Sequence, residues 1–257
     1  MKLALLCKDI ILDTNHINGA ASFARRAVFL CYHFAMKKPL LVLVFFAFAT
    51  PALAYNPIPV HPTEQYEVLK IDGDPYIEHD FLGTLADYPE TFELKTDVSM
   101  TFTAAVFQRS TGTPVPFGLM FVRQNDSDGG VTEVARASTS LSNWSKVYEQ
   151  GLGITLLQGS ELRKDIGPGT YHLEVNTPDN KGDYMLVIGE EPAQTSYFKT
   201  LAHVARIQYH FGYTPLHLLL SSYVFYPLGI LGILFSTGYY YRQRHKQKNK
   251  KYVRFSD

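Results

Sequence analysis

The sequence predicts an all-β fold, an antiparallel, jelly-roll-like β-sandwich, followed by a juxtamembrane amphipathic helix and one transmembrane helix. The sandwich is indicated by short segments between residues 65 and 188 in which apolar and polar side chains alternate. The transmembrane helix is indicated by Leu218–Tyr241, a run without Asp, Glu, Lys or Arg. The basic residues that follow this run predict its orientation in the membrane.

Residues 36–54 have the pattern of a secretory signal peptide. Lys37 and Lys38 form a short positive region, and Leu40–Phe48 form the apolar stretch behind it. The small residues Ala52–Ala54 then supply a cleavage site. We therefore expect the mature chain to begin directly after them.

The segment 1–35 resembles neither a domain nor a targeting element, so we expect translation to start at Met36 and not at residue 1. An alternative is a signal-anchor helix over residues 27–54, but two lysines in its middle would be costly in lipid. Both interpretations place the chain from Tyr55 onwards outside the cytoplasm.

Residues 55–63 are rich in proline and predict an extended linker, and residues 64–191 are predicted to form the sandwich. Turn-forming residues such as Asp, Asn, Gly and Pro separate its short segments. The predicted strands are Gln65–Ile71, Tyr76–Leu82, Thr91–Lys95, Thr101–Gln108, Gly118–Arg123, Val131–Ala137, Lys146–Glu149, Ile154–Leu157, Thr170–Asn176 and Asp183–Ile188.

The last two strands give the clearest pattern. Tyr171, Leu173 and Val175 alternate with polar residues, Pro178–Gly182 turns the chain, and the alternation returns in Asp183–Ile188. This pattern predicts a half-buried antiparallel hairpin.

The same region carries a resemblance to a known family. The order Gly169-Thr170-Tyr171, Val175, Gly182, Tyr184 and Leu186 is similar to the closing hairpin of bacterial pre-peptidase C-terminal domains, and Val134–Ser138 resembles the strand before it. The resemblance covers roughly residues 82–188 and implies an accessory module that binds proteins or polysaccharides and is not catalytic. Phe117–Phe121 stands where the family has an acidic Asp-x-Asp-Leu strand, which argues against a calcium site of that type.

Residues 195–212 predict the amphipathic helix. Its basic stripe is formed by Lys199, His203, Arg206 and His210. Two interpretations are open: the stripe faces lipid headgroups at the outer membrane interface, or the apolar face of the helix packs on the sandwich.

Residues 216–241 are the predicted transmembrane helix, and residues 242–257 the basic cytoplasmic tail. A helix over the 24 uncharged residues is about 36 Å long, against about 30 Å for the hydrocarbon core. The predicted membrane-interface residues at its inner end are Tyr239, Tyr240, Tyr241, Arg242 and Arg244. This orientation makes the sandwich extracytoplasmic.

The formal net charge of zero hides an uneven distribution. Residues 55–214 contain 11 Lys and Arg against 21 Asp and Glu, a charge of −10, which argues against a nucleic-acid partner. We expect the bilayer and another envelope protein or a polysaccharide as partners. Cys7 and Cys31 precede Met36, so the expected mature chain has no disulfide, which favours a bacterial envelope protein.

Two oxygen-rich loops are weak candidates for binding calcium, the ion that prefers such ligands. They contain Asp72 and Asp74, and Asp126 and Asp128. Because Asp, Asn and Gly are common in solvated turns, we expect turns without a metal, and no other cofactor.

Few residues suggest recognition or catalysis. Trp144 is a weak candidate for stacking on a sugar, against the alternative of a half-buried anchor. His79, Asp80 and His172 belong to no catalytic motif, so we expect no catalytic residue. The sequence therefore favours a membrane-tethered, non-catalytic interaction module of the cell envelope. The alternative is a subunit or assembly factor of a membrane complex that acts through its helices, and an uncharacterised hydrolase ranks third.

Overall fold

A computed structural model describes residues 52–125, 129–138, 140–141 and 143–253. Its strands are β1 (Ala52–Ala54), β2 (Pro57–Pro59), β3 (Val68–Lys70), β4 (His79–Ala86), β5 (Glu90–Thr96), β6 (Met100–Arg109), β7 (Gly118–Gln124), β8 (Val131–Ser138), β9 (Ser145–Glu149), β10 (Ile154–Gln158), β11 (Leu162–Ile166), β12 (Gly169–Asn176), β13 (Lys181–Ile188) and β14 (Ala193–Thr195). The helices are α1 (Tyr197–His210), a 3-10 helix (Pro215–Leu220) and α2 (Ser222–Val253).

Two sheets form a sandwich-like fold, which confirms the predicted class. In one sheet the order is β2-β4-β13-β6-β10-β9, with β11 also paired to β6, and in the other it is β3-β5-β12-β7-β8. The main core lies between them, where the rings of Phe102 and Phe121 stack with centroids 4.3 Å apart. Alternation along each strand sends one set of side chains into this core, because successive side chains point to opposite faces.

The predicted closing hairpin is wrong. Strand β12 pairs with β5 and β7, whereas β13 pairs with β4 and β6, so the two strands belong to opposite sheets. Both alternations are real, and Tyr171 and Tyr184 are each buried. The two strands face each other across the core from opposite sheets. The turn between β12 and β13 crosses from one sheet to the other.

The sandwich also departs from a purely antiparallel pattern. Strand β2 runs parallel to β4, and β3 runs parallel to β5. Strand β2 lies in residues 55–63, which were predicted to be a linker, whereas β3 lies within the predicted strand Gln65–Ile71. Hydrogen bonding of β2 to β4 draws the predicted linker into the seven-stranded sheet.

Helix α1 covers the outer face of the seven-stranded sheet. Val204 and Ile207 are completely buried there, in a second cluster that includes Leu82, Leu156 and Met185. Of the two interpretations of this helix, packing of its apolar face on the sandwich is the arrangement observed. The central strands of this sheet are therefore covered on both faces.

The predicted single helix over residues 216–241 is divided into two elements. The 3-10 helix ends at Leu220, Ser221 has an extended backbone, and α2 begins at Ser222. Among the described residues, no helix combines the length and the apolar character needed to cross a membrane.

The β9–β10 turn holds the start of α2 to the sandwich. The Ser221 hydroxyl donates a hydrogen bond to the Gly151 carbonyl at 2.6 Å, and the Ser222 amide donates to the Gln150 carbonyl at 3.1 Å. The Tyr226 hydroxyl accepts a hydrogen bond from the Gln150 side chain at 2.7 Å. We call this set of contacts the α2 joint.

Several predictions fall on parts of the chain that the structure does not describe. These are the segment 1–35 with Cys7 and Cys31, the start at Met36 and the signal peptide as far as residue 51. The last three residues of the predicted signal peptide form β1, in which Ala54 is the register partner of Ala193 in β14.

Candidate functional site

A cavity of about 330 Å³ lies on the outer face of the seven-stranded sheet. We call it the acidic cavity because three carboxylates line it and no described lysine, arginine or histidine does. Its lining residues are Tyr55, Glu78, Asp80, Phe107, Glu149, Met185, Val187, Pro192 and Tyr223. They come from distant parts of the chain, including β4, β6, β9, β13 and α2.

Strand β4 places Asp80 in this cavity. Phe81 points into the main core, whereas Leu82 belongs to the second cluster under α1, so the alternation of the strand directs Asp80 to the outer face as well. Asp80 is completely buried. Its Oδ2 accepts a hydrogen bond from the Asn56 amide at 2.7 Å. Its other oxygen, Oδ1, is buried and has no hydrogen-bond partner among the described residues.

The surroundings of Asp80 make its charge unfavourable. Burial, followed by the nearby carboxylate of Glu78, raises the pKa of Asp80 to about 7, against the opposing effect of the Asn56 amide. Burial and the charge of Glu149 also raise the pKa of Glu78. Each shift has the same physical origin, since a carboxylate loses solvation on burial and is repelled by a neighbouring negative charge.

Tyr55 closes the cavity next to α1. Its hydroxyl donates a hydrogen bond to Glu149 Oε2 at 3.2 Å, and its carbonyl accepts one from His203 Nδ1 at 2.6 Å. Burial and the charge of Glu149 raise the pKa of the Tyr55 phenol. The phenol is therefore a neutral donor to the carboxylate at physiological pH.

Two residues of the predicted basic stripe of α1, His203 and His210, are half-buried, whereas Lys199 and Arg206 are exposed. His203, Arg206 and His210 donate hydrogen bonds to the carbonyls of Tyr55, Pro57 and Tyr184, and only Lys199 of the four has no such bond described. Their N–H groups thus satisfy backbone acceptors of Tyr55, β2 and β13. Burial lowers the pKa of His210.

The interface residues predicted at the far end of α2 are exposed. Tyr239, Tyr240 and Tyr241 are each more than half exposed. Arg242 and Arg244 are exposed as well, and the guanidinium of Arg244 lies 5.2 Å from the ring centroid of Tyr240.

The loop with Asp72 and Asp74 is a solvated turn. Both side chains are exposed, and Asp74 Oδ1 accepts a hydrogen bond from the Tyr76 amide at 3.0 Å. Asp126 and Asp128 lie outside the described residues. In the part of the chain that is described, no group of three or more His, Cys, Asp or Glu side chains is arranged to hold a metal ion.

Trp144 is anchored in the main core. Its ring meets Phe117 edge-on, with centroids 6.4 Å apart, and its Nε1 is buried. His79 bonds to the Ile77 carbonyl and stacks on Phe81, and His172 lies on the other sheet beside Glu93. His79, Asp80 and His172 therefore do not form one site.

No strong signal for the acidic cavity is present in the sequence. Asp80 stood out only beside His79, as a pair more typical of a protein surface. Its position two residues before Leu82 on an alternating strand was the available signal, since it places both side chains on one face. That this face is covered depends on α1 and on Tyr223, which are more than 100 residues away.

No protein-family model matches the chain, and no curated protein matches it either. Among solved structures, the pre-peptidase C-terminal domain of a collagenase from Bacillus anthracis is similar, with 15% identity and a TM-score of 0.31, over 50% of this chain and 98% of that one. This domain is of the family that the sequence resembles.

Two further structures are similar. The Yersinia pseudotuberculosis-derived mitogen has 12% identity and a TM-score of 0.29, over 46% of this chain and 91% of that one. A surface-associated copper-binding protein from Methylomicrobium album BG8 has 12% identity and a TM-score of 0.19, over 54% and 90%. These values give no information about a ligand or an activity of this chain.

Proposed function

We propose that the chain is a non-catalytic interaction module, a β-sandwich held at the outer side of a membrane by its C-terminal helix. Its partner would be another envelope protein or a polysaccharide. The observation that carries the proposal is the exposed, uncharged apolar surface around residues 222–241 of α2, on a helix fixed to the sandwich by the α2 joint.

The apolar side chains of α2 point in every direction. Phe225, Leu228, Ile230, Ile233 and Phe235 are all exposed, and at 3.6 residues per turn they are spread around the whole helix. Such a surface is unfavourable in water. A folded protein partner would cover one side of the helix, whereas lipid surrounds it completely. The distribution of these side chains therefore favours a bilayer.

The apolar element extends beyond α2 itself. Leu216, Leu219 and Leu220 in the 3-10 helix are also exposed, so the apolar surface continues across the α2 joint. We propose that this two-part element, and not α2 alone, is embedded in lipid.

Charge supports the orientation. The segment 55–214 carries −10, and the residues after Tyr241 include seven Lys and Arg against one Asp. Positive residues next to a membrane segment favour the cytoplasmic side. The sandwich would then be extracytoplasmic, in agreement with the signal peptide proposed for residues 36–54.

A non-catalytic role is supported by the chemistry of the acidic cavity. The described residues that line it offer carboxylates, phenols and apolar groups, without the cysteine, serine or histidine of a Ser–His or Cys–His pair. Binding is the activity that these groups support best.

Membrane fractionation with alkaline carbonate tests the tether. We expect the full chain to remain in the membrane pellet, and the double variant Ile230→Lys, Ile233→Lys to be released because two charges disfavour insertion. The matched control is Val98→Lys, Val131→Lys, which places lysines at exposed valines of the sandwich and should stay in the pellet. Release of the unmodified chain by carbonate would refute the tether.

A helix exchange separates the module from the alternative, a subunit or assembly factor acting through its helices. The segment 228–235 is replaced by leucines, which keeps an apolar helix but removes its specific surface. If the sandwich is the interaction module, cross-linking of the full chain and of the exchanged chain in native membranes gives the same products. Loss of all products in the exchanged chain would contradict the proposal.

A further inference from the structure

The acidic cavity contains an unsatisfied negative group. Glu78, Asp80 and Glu149 all line it, and Asp80 Oδ1 is a buried oxygen without a hydrogen-bond partner among the described residues. A buried polar atom of this kind costs free energy unless something pairs with it. The lining contains no described basic side chain. A positively charged hydrogen-bond donor that is not one of the lining residues would therefore satisfy Asp80 Oδ1.

The lining also restricts which cation fits. Calcium takes six to eight oxygen ligands, whereas half of this cavity is apolar, with Phe107, Met185, Val187 and Pro192 in its wall. In agreement, no metal-binding group of side chains is present in the described residues. A bare metal ion would leave the apolar wall without a contact.

An alkylammonium group matches both parts of the cavity. Its three N–H donors suit carboxylate oxygens, and its apolar stem suits the wall. Tyr55 and Tyr223 add aromatic rings, which attract a cation placed over their faces. The volume of about 330 Å³ is within the range of small-molecule sites.

We infer that the acidic cavity binds a primary ammonium group on an apolar stem, with Asp80 Oδ1 as its principal acceptor. Two sources supply this chemistry. One is a free amine. The other is the chain itself, because a signal peptidase that hydrolyses the Ala54–Tyr55 bond consumes one water and leaves a carboxylate on Ala54 and an ammonium on Tyr55, which lines the cavity.

Thermal unfolding of the full chain in detergent micelles tests the inference, with n-butylammonium chloride as the probe. The chain Ala54→Leu serves as the reference, because a bulky residue at this position blocks processing and leaves no ammonium on Tyr55. We expect butylammonium to raise the Tm of this chain more than tetramethylammonium, which has no N–H donor for Asp80 and keeps only the attraction of the aromatic rings.

The Asp80→Asn substitution in the same chain should weaken the apparent affinity for butylammonium at least tenfold. Glu149→Gln, at another residue of the cavity lining, should weaken the affinity for butylammonium less. If Asp80→Asn fails to fold, Glu149→Gln still tests the inference. The matched control is Asp97→Asn, an exposed carboxylate of the sandwich, which should bind butylammonium as before. An equal Tm shift in the cavity variants and in the control would overturn the inference.

Measurements on the unmodified chain distinguish the two sources of the ammonium group. If its own ammonium occupies the cavity, mass spectrometry finds a chain that begins at Tyr55, butylammonium gives no Tm shift, and Asp80→Asn lowers its Tm. If the ligand is a free amine, butylammonium raises the Tm of both chains. A shift with calcium chloride that Asp80→Asn abolishes, without any shift from butylammonium, would refute ammonium binding in favour of a metal.

Discussion

Tyr184 of β13 donates a hydrogen bond from its phenol to the carboxylate of Glu90 at the start of β5, and both side chains are buried between the two sheets. The bond joins the seven-stranded sheet to the five-stranded sheet. Gly83 lies against the Tyr184 ring, where any Cβ would overlap it. A glycine on β4 thus makes room for the tyrosine that connects the sheets.

Replacing Tyr184 with Phe should lower the free energy of unfolding by about 1–3 kcal/mol, because the Glu90 carboxyl loses its buried partner. Urea unfolding in micelles measures the change. Tyr148→Phe removes a hydroxyl from a tyrosine that is 58% exposed and should change stability by less than about 0.5 kcal/mol. Equal effects of the two substitutions would contradict the role of the bond.

The contribution of Asp80 to stability should fall as the pH rises from about 4 to about 7. Since the pKa of Asp80 is raised from 3.8 to about 7 in the folded chain, the folded state holds a proton that the unfolded state has already lost in this window. The raised pKa of Glu90 acts in the same direction. In the Ala54→Leu chain without added amine, Asp80→Asn should make the fall smaller.

Urea unfolding at pH 4.5 and pH 7.5 measures this fall. Asp97→Asn, at an exposed position, is its control and should leave the pH dependence unchanged. If Asp80→Asn and Asp97→Asn give the same fall in stability, Asp80 does not titrate in this window.

The α2 joint can be tested at Gly153. Gly153 has a φ of +66°, and a Cβ there would lie 2.5 Å from backbone atoms of Leu220 and Ser221. Gly129 has nearly the same φ, +67°, with open space around it. Gly129→Ala should therefore cost only the backbone strain, about 1 kcal/mol, whereas Gly153→Ala adds a collision that displaces the joint.

Unfolding of both glycine variants in urea gives the two costs. Limited proteolysis then shows where the chain opens, and we expect new cleavage between residues 214 and 222 in Gly153→Ala alone. Identical stabilities and cleavage patterns would mean that the start of α2 does not pack on the β9–β10 turn.

Helix α1 should contribute stability through its buried face. Ile207→Ala should cost about 2–5 kcal/mol, since the side chain is completely buried against the seven-stranded sheet. Phe198→Ala, on the same helix but 73% exposed, should cost less than about 0.5 kcal/mol. A larger loss from Phe198→Ala would instead indicate that the opposite face of the helix is the packed one.

Alternation in the sequence located the strands but not their partners. Tyr171 and Tyr184 are buried as predicted, yet the pattern is the same whether two strands pair with each other or face each other across a core. Strand β11 escaped prediction because Leu162 and Ile166 are its only buried residues, separated by three exposed polar ones. The pairing of β11 with β6 specifies this strand, and that pairing cannot be read from the neighbouring residues in the sequence.

The candidate site was harder to predict than the fold. Asp80 becomes a buried, unpaired carboxylate only because segments distant in sequence cover it, among them Tyr55, Glu149 and Tyr223. The acidic loops could be recognised in the sequence because a turn is formed by residues that are neighbours in the chain. A solvated turn and a ligand site can therefore show the same composition.

Tyr223 belongs to two parts of the molecule at once. It lies in the first turn of α2, which the β9–β10 turn holds in place, and it also forms part of the wall of the acidic cavity. Membrane helices change their tilt when bilayer thickness changes. If α2 is embedded in a bilayer as proposed, a change in its tilt would move this wall and alter the width of the cavity.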